Sequence, residues 1–251
     1  MRHVDGDRLW GPALEVGVLG PFEMAVHGRP VALSAGRVVP VERLAEGVWA
    51  DALPGNVRRS VQTYMARLRC TLGPELIGTT PAGYVLYADP GHVDALRFGR
   101  LVEAAAAAPG IAEERALLSE ALRLWRGRPF AGVPSEWLDA SETPRLLERY
   151  LAAVERRLDL DLAAGRHREC VAELAELTAR HPLRESLWTR LLVALDRCGR
   201  HAEALSRYET VRRLIAGELG VDPGPELRRL HTDLLTGGPV EVGATLSGIR
   251  A

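Results

Sequence analysis

Between residues 56 and 73 the chain reads NVRRSVQTYMARLRCTLG, and its apolar positions return at helical intervals. At about 100° per residue, Val57, Val61, Tyr64, Met65, Leu68 and Leu72 share one stripe. Arg59, Gln62, Thr63, Ala66, Arg69 and Cys70 lie opposite, with Arg58 and Arg67 on the flanks. Asn56, following Pro54-Gly55, is placed to cap this helix, and Gly73-Pro74 to stop it. Upstream, VPVERLAEGVWA at 39–50 sets Val41, Leu44, Val48 and Trp49 at the same spacing, so two helices meet at the short turn LPGN. On either side the period changes. LEVGVLGPFEMAVHGRPVAL at 14–33 holds two short β-prone runs broken at Gly20-Pro21 and His27-Gly28, which predicts a small antiparallel sheet. LIGTTPAGYVLYA at 76–88 has a Pro81-Ala82-Gly83 turn between two further runs, which predicts a hairpin. Helix, turn, helix and hairpin in that order predict a winged helix-turn-helix, in which the second helix enters the major groove and the hairpin lies along the backbone.

Past Pro90-Gly91 the strand signals stop, and helices are predicted at 93–108, 111–126, 135–164, 167–181, 184–198, 201–219 and 224–236. Gly165-Arg166-His167 recurs 34 residues on as Gly199-Arg200-His201, each opening a helix with Ala and Leu on one face. That offset is the period of tetratricopeptide repeats, whose small residues let paired helices pack closely. The fold class is therefore mostly α with a small β part. A winged helix-turn-helix occupies 13–90, a tetratricopeptide-like helical repeat domain 91–238, and a flexible tail 239–251.

Composition changes this picture in one respect. A formal net charge of −1 over 251 residues gives no bulk attraction to a polyanion, so nucleic-acid binding has to come from a local patch. Residues 56–73 carry four arginines and no acid, and make the best such patch in the chain. A basic helix face is by default solvated surface, and its place in a helix-turn-helix is what points to DNA. Arg58, Arg59, Gln62 and Thr63 are the candidates for base edges, with Arg67, Arg69, Thr79 and Thr80 for phosphates. Val57, Val61, Leu68 and Leu72, together with Trp49, Trp125, Trp137 and Trp188, are assigned to packing. Cys70, Cys170 and Cys198 are far apart, and neither they nor the seven histidines show metal-ligand spacing. No phosphate-cradling loop or nucleophile elbow occurs, so no catalytic residue, metal or cofactor is expected. No apolar run is long enough to span a bilayer, and MRHVDGDRLWGP lacks the apolar core of a signal peptide, which leads to the expectation of a cytoplasmic protein with no membrane partner.

The succession LGPFEMAVHGRPVAL, ERLAEGVW, SVQTYMARLRCTLG, TTPAGYVL, AAGRHRECVAELAELTARHPLRESLW and GRHAEALSRYETVRRLIAGELGVDPGPELRRL resembles the Streptomyces antibiotic regulatory protein family over roughly residues 14 to 236. The resemblance implies a response-regulator-type winged helix, the effector domain of phosphorelay systems, followed by a bacterial transcriptional activator domain. It further implies an activator of antibiotic or other secondary-metabolite gene clusters that binds promoter direct repeats on double-stranded DNA, self-associates there and contacts RNA polymerase.

The chain departs from the family pattern in two places. Relatives carry a Leu- and Ala-rich helix between the N-terminal sheet and the strand before the two helices, whereas here VALSAGRVVPVERL runs across with only Ser34-Ala35-Gly36 between. On this reading the winged helix is truncated by its first helix. Burying one Leu or Val side chain contributes about 1.5–3 kcal/mol, so several kcal/mol of cover are lost. Thr79-Thr80 also stands where relatives often carry an arginine. A second reading follows, in which a degenerate relative with weak or no DNA binding acts through its helical repeats as a protein-interaction module.

Overall fold

The structure, a computed structural model, describes residues 14–21, 23–26, 38–49, 52–87 and 89–238. The predicted continuation of the first sheet to residue 33, the stretch around Ser34-Ala35-Gly36 where the sequence reading expects a helix to be lacking, and the C-terminal tail lie outside the described residues. The described residues divide into two compact units, one formed by those up to 109 with 116–151, the other by 110–115 with 152–238.

In the first unit, β1 (Leu14–Gly17) pairs antiparallel with β2 (Glu23–Val26), in register from Leu14↔Val26 to Gly17↔Glu23. Helices α1 (Val41–Trp49) and α2 (Val57–Leu72) follow, then the hairpin of β3 (Ile77–Thr80) and β4 (Gly83–Leu86). These match the elements the sequence pattern predicts to within about two residues at each end. The hairpin gains a third partner ahead of α1: Val39 N–H donates to the Tyr84 carbonyl at 2.7 Å, and Tyr84 N–H donates to the Val39 carbonyl at 3.0 Å. That approach requires glycine at 83, where φ is +145° and a Cβ would sit 2.1 Å from the Val39 carbonyl oxygen.

This unit continues past Pro90-Gly91. Residues Pro90–His92 form one 3₁₀ turn, and α3 (Asp94–Ala106) begins immediately after Val93, which bridges to Val16. The Asp94 carboxylate accepts from Val18 N–H at 2.8 Å and Leu19 N–H at 2.9 Å, so the start of α3 satisfies backbone donors of the β1–β2 turn. After α4 (Ile111–Arg123), the chain returns to the same turn, with Arg126 N–H donating to Leu19, Phe130 N–H to Val18 and Ala131 N–H to Gly20. The helix predicted at 135–164 runs from 136 to 163, with a π-helical turn, Leu138–Glu142, leading into α5 (Thr143–Ala163).

The second unit packs the latter part of α5 with α6 (His167–Arg180), α7 (Glu185–Arg197), α8 (His201–Leu219) and α9 (Pro225–Thr236). The 34-residue repeat is visible in the backbone: Gly165 and Gly199 are both left-handed, with φ of 78° and 75°. The arginine after each bonds the glutamate three residues on, Arg166 to Glu169 at 2.9 Å and Arg200 to Glu203 at 2.7 Å. Residues 187–195 of α7 are buried without interruption, as befits the middle helix of the stack. One of them is Arg190, whose fork meets Asp159 in two bonds of 2.7 and 2.8 Å. Burial still pushes the Asp159 carboxyl above its ordinary value, with the Arg190 hydrogen bonds working against that rise. Asp161, also buried, takes guanidinium donors from Arg115, Arg157 and Arg166.

Candidate nucleic-acid interface

Asn56 caps α2 as its type and position require: its side-chain oxygen accepts from Arg59 N–H at 3.0 Å. No acid follows in the first turn, so the helix N-terminus keeps its positive end unneutralised. The inward stripe is buried at Val61, Met65 and Leu72 and half-buried at Val57 and Leu68. Tyr64, assigned to the same stripe, remains 47% exposed and leans on Trp49 with ring centroids 5.7 Å apart.

Arg58, Arg59, Gln62, Thr63 and Arg67 are all exposed and together span the outward arc of α2. Arg58, Arg59 and Arg67 make no ion pair among the described residues, in a chain where most other arginines are committed to a carboxylate. An unpaired cluster of this kind carries a self-repulsion that a polyanion relieves, and arginine forks fit both guanine edges and phosphates. Thr63 gives its hydroxyl proton to the Arg59 carbonyl at 2.9 Å, leaving it an acceptor toward the outside.

The remaining sequence candidates are arranged differently. Arg69 turns back onto the hairpin: Nε and Nη2 donate to the Ile77 carbonyl at 3.0 and 2.8 Å, and Nη2 also donates to Thr79 Oγ1 at 2.6 Å. Its guanidinium carbon lies 5.8 Å from the Tyr84 ring centroid. Thr80 donates to the Gly83 carbonyl at 3.1 Å across the wing turn. Arg69 and Thr79 thus form a brace between the end of α2 and the wing, Thr80 ties the wing turn to itself, and Arg58, Arg59 and Arg67 face solvent. Sequence reasoning did not anticipate that brace, because an arginine eight and ten residues before its acceptors carries no periodic signal.

No cluster of His, Cys, Asp or Glu suited to a metal occurs among the described residues, and no described helix is long and apolar enough to cross a membrane.

Comparison with known proteins supplies the wider setting. Residues 93–235 match the family of the bacterial transcriptional activator domain. The chain is 39% identical to the regulatory protein AfsR of Streptomyces griseus over 240 residues, covering 89% of this chain but 24% of AfsR. It is 33% identical to the regulatory protein DnrI of Streptomyces peucetius over 254 residues, covering 90% of this chain and 93% of DnrI. Among solved structures, Mycobacterium tuberculosis EmbR in complex with a low-affinity phosphopeptide superposes with a TM-score of 0.82 at 31% identity, covering 92% of this chain and 67% of EmbR. The chain therefore spans about a quarter of AfsR and nearly all of DnrI.

Proposed function

The chain belongs to the Streptomyces antibiotic regulatory proteins, transcriptional regulators that carry a bacterial transcriptional activator domain, and on that premise we propose that it binds promoter DNA through α2 and activates a secondary-metabolite gene cluster. The observation that carries the reading is the outward arc of α2, where Arg58, Arg59 and Arg67 stand exposed and unpaired among the described residues on a helix braced against a wing. Arg58, Arg59 and Gln62 sit in the first half of the helix, the part that reaches base edges when such a helix enters a major groove. Arg67, further along and on the opposite flank, suits a phosphate. In this reading residues 13–90 form the DNA-binding module and 91–238 the activator domain, which works with RNA polymerase and with a second copy on direct repeats, in the cytoplasm. Membership of the Streptomyces antibiotic regulatory protein family supports an antibiotic or other secondary-metabolite cluster as the target.

A second reading, an interaction module with weak DNA binding, is favoured by the brace itself. Arg69 and the Thr80 hydroxyl donate internally, which takes two of the candidate donors away from a phosphate backbone. The two readings separate in a salt titration of fluorescence anisotropy, using the full chain and duplexes selected from a random library. The activator reading expects enrichment of one sequence and a log–log salt slope corresponding to a few phosphates, at about −0.9 per contact. Failure to enrich any sequence leaves the interaction module.

A further inference from the structure

Within the first unit, α1, the Met65 position of α2, the hairpin and the segment 130–138 line a cavity of about 450 Å³. Its walls are apolar and aromatic: Leu44, Met65, Val85, Phe130 and Trp137 face it, and Tyr84 and Arg43 bring the polar groups. At the mouth Val48 is 60% exposed, an apolar residue that the described residues leave uncovered. Beside it, the Arg43 guanidinium carbon stacks 4.7 Å from the Trp137 ring centroid. Its ion pair with Glu46 is 3.6 Å long and half exposed at both ends, the kind of contact that contributes little. Ser135, also on the wall, donates its Oγ proton to the Gly47 carbonyl at 2.9 Å.

An apolar space of this size gains nothing from water, which needs two to four polar partners per molecule. Small-molecule sites have this character, roughly 300–1,000 Å³ of apolar and aromatic wall with a few placed polar groups. We propose that the cavity is a binding site for a small aromatic anion, its rings held between Trp137, Phe130 and Met65 and its acid on Arg43 at the mouth. Arg43 is suited to that role because stacking on Trp137 fixes the plane of its fork, and a planar fork recognises carboxylate and sulfonate oxygens in pairs. The walls select for flat rings, and Arg43 favours an anion over an uncharged or cationic compound of the same shape. Because α1, α2 and the wing all line the space, an occupant also ties together the elements that present the arginines. That consequence rests on the DNA-binding reading, while the binding site itself does not.

The test uses the folded full chain and two probes of similar ring size, 1-anilinonaphthalene-8-sulfonate and the uncharged N-phenyl-1-naphthylamine. The expected result is saturable, blue-shifted sulfonate fluorescence with one site per chain. Arg43→Gln should weaken the sulfonate at least tenfold and leave the amine within twofold. Gly47→Leu extends a side chain into the cavity from a position where the first added carbon meets only Trp137, at 3.7 Å; it should abolish binding of both probes while helical circular dichroism is unchanged. If Gly47→Leu does not fold, the Arg43→Gln pair of titrations decides alone. Multiple weak sites, or sulfonate binding indifferent to Arg43→Gln, would overturn the proposal. Probe binding is measured without DNA, so failure of the cavity site and failure of the DNA-binding reading are separate outcomes.

Discussion

Replacing Arg69 by alanine tests whether the end of α2 is braced to the wing or reserved for DNA. The side chain makes three hydrogen bonds, two to the Ile77 carbonyl and one to Thr79 Oγ1, and lies 5.8 Å from the Tyr84 ring. A hydrogen bond from a charged donor contributes about 1.5–3 kcal/mol net, and an exposed cation–π contact about 0.5–1 kcal/mol. Arg69 is only half-buried and its bonds share one carbonyl, so the group together should contribute about 2 kcal/mol. For a chain of this size that corresponds to a fall in Tm of roughly 4–8 °C. The assay is thermal unfolding followed by near-ultraviolet circular dichroism, paired with a DNA salt titration of the same preparation. Arg69→Ala should lower Tm and weaken DNA binding while the salt slope stays that of the wild type. Arg69→Lys, which keeps the charge but loses the planar fork, should also lower Tm. An unchanged Tm in Arg69→Ala with a salt slope reduced by about one unit would refute the brace and return Arg69 to the phosphate backbone.

Two other perturbations address the helical repeats. Arg190→Ala strands Asp159, 1% exposed, without its guanidinium, and should cost about 3–5 kcal/mol in urea unfolding, whereas replacing the pair together by Arg190→Met and Asp159→Leu should recover most of the loss; equal losses would show that the pair's charges are not the issue. His167 has a buried Nδ1 without a hydrogen-bond partner among the described residues, and burial, aided by Arg197, holds its imidazole below the ordinary value of 6.5. The unfolded chain therefore takes up a proton that the folded one resists, so stability is full above about pH 6.5 and falls as pH drops through it; His167→Gln should flatten urea midpoints between pH 7.5 and 5.5, and an unaltered pH profile would contradict the assignment.

The helices were legible because their apolar residues recur with a helical period over two or more turns, and α6 to α9 end within a residue or two of where Gly, Pro and the 34-residue repeat place their limits. Asn56 likewise announced itself, since a capping side chain acts on its own next turn. Contacts between distant segments were not legible. Nothing near Asp94 shows that its carboxylate will satisfy Val18 and Leu19, 76 and 75 residues away, and that bond is why the first unit runs past Pro90-Gly91. The π-helical turn at Leu138–Glu142 is likewise invisible to periodicity, because the residues on either side keep a helical pattern. Of the DNA candidates, exposure at Arg58, Arg59, Gln62, Thr63 and Arg67 followed from the stripe opposite, whereas the commitment of Arg69 depended on where a hairpin placed its first carbonyl.

The central claim is that the outward arc of α2 reads DNA, and the measurement that bears on it most directly is a comparison of Arg59→Ala with Arg67→Ala on a selected duplex and on its single-base variants across salt. Arg59 lies near the N-terminal end of the helix and should act on a base edge, so its loss should cost about 1–3 kcal/mol on the preferred duplex and less on one variant, relaxing selectivity at that base pair. Arg67, placed for a phosphate, should weaken all duplexes alike and reduce the salt slope by about one unit. Wild type and both variants binding every duplex with the same weak affinity and the same slope would contradict the claim, and would move the function of this chain from α2 to its helical repeats.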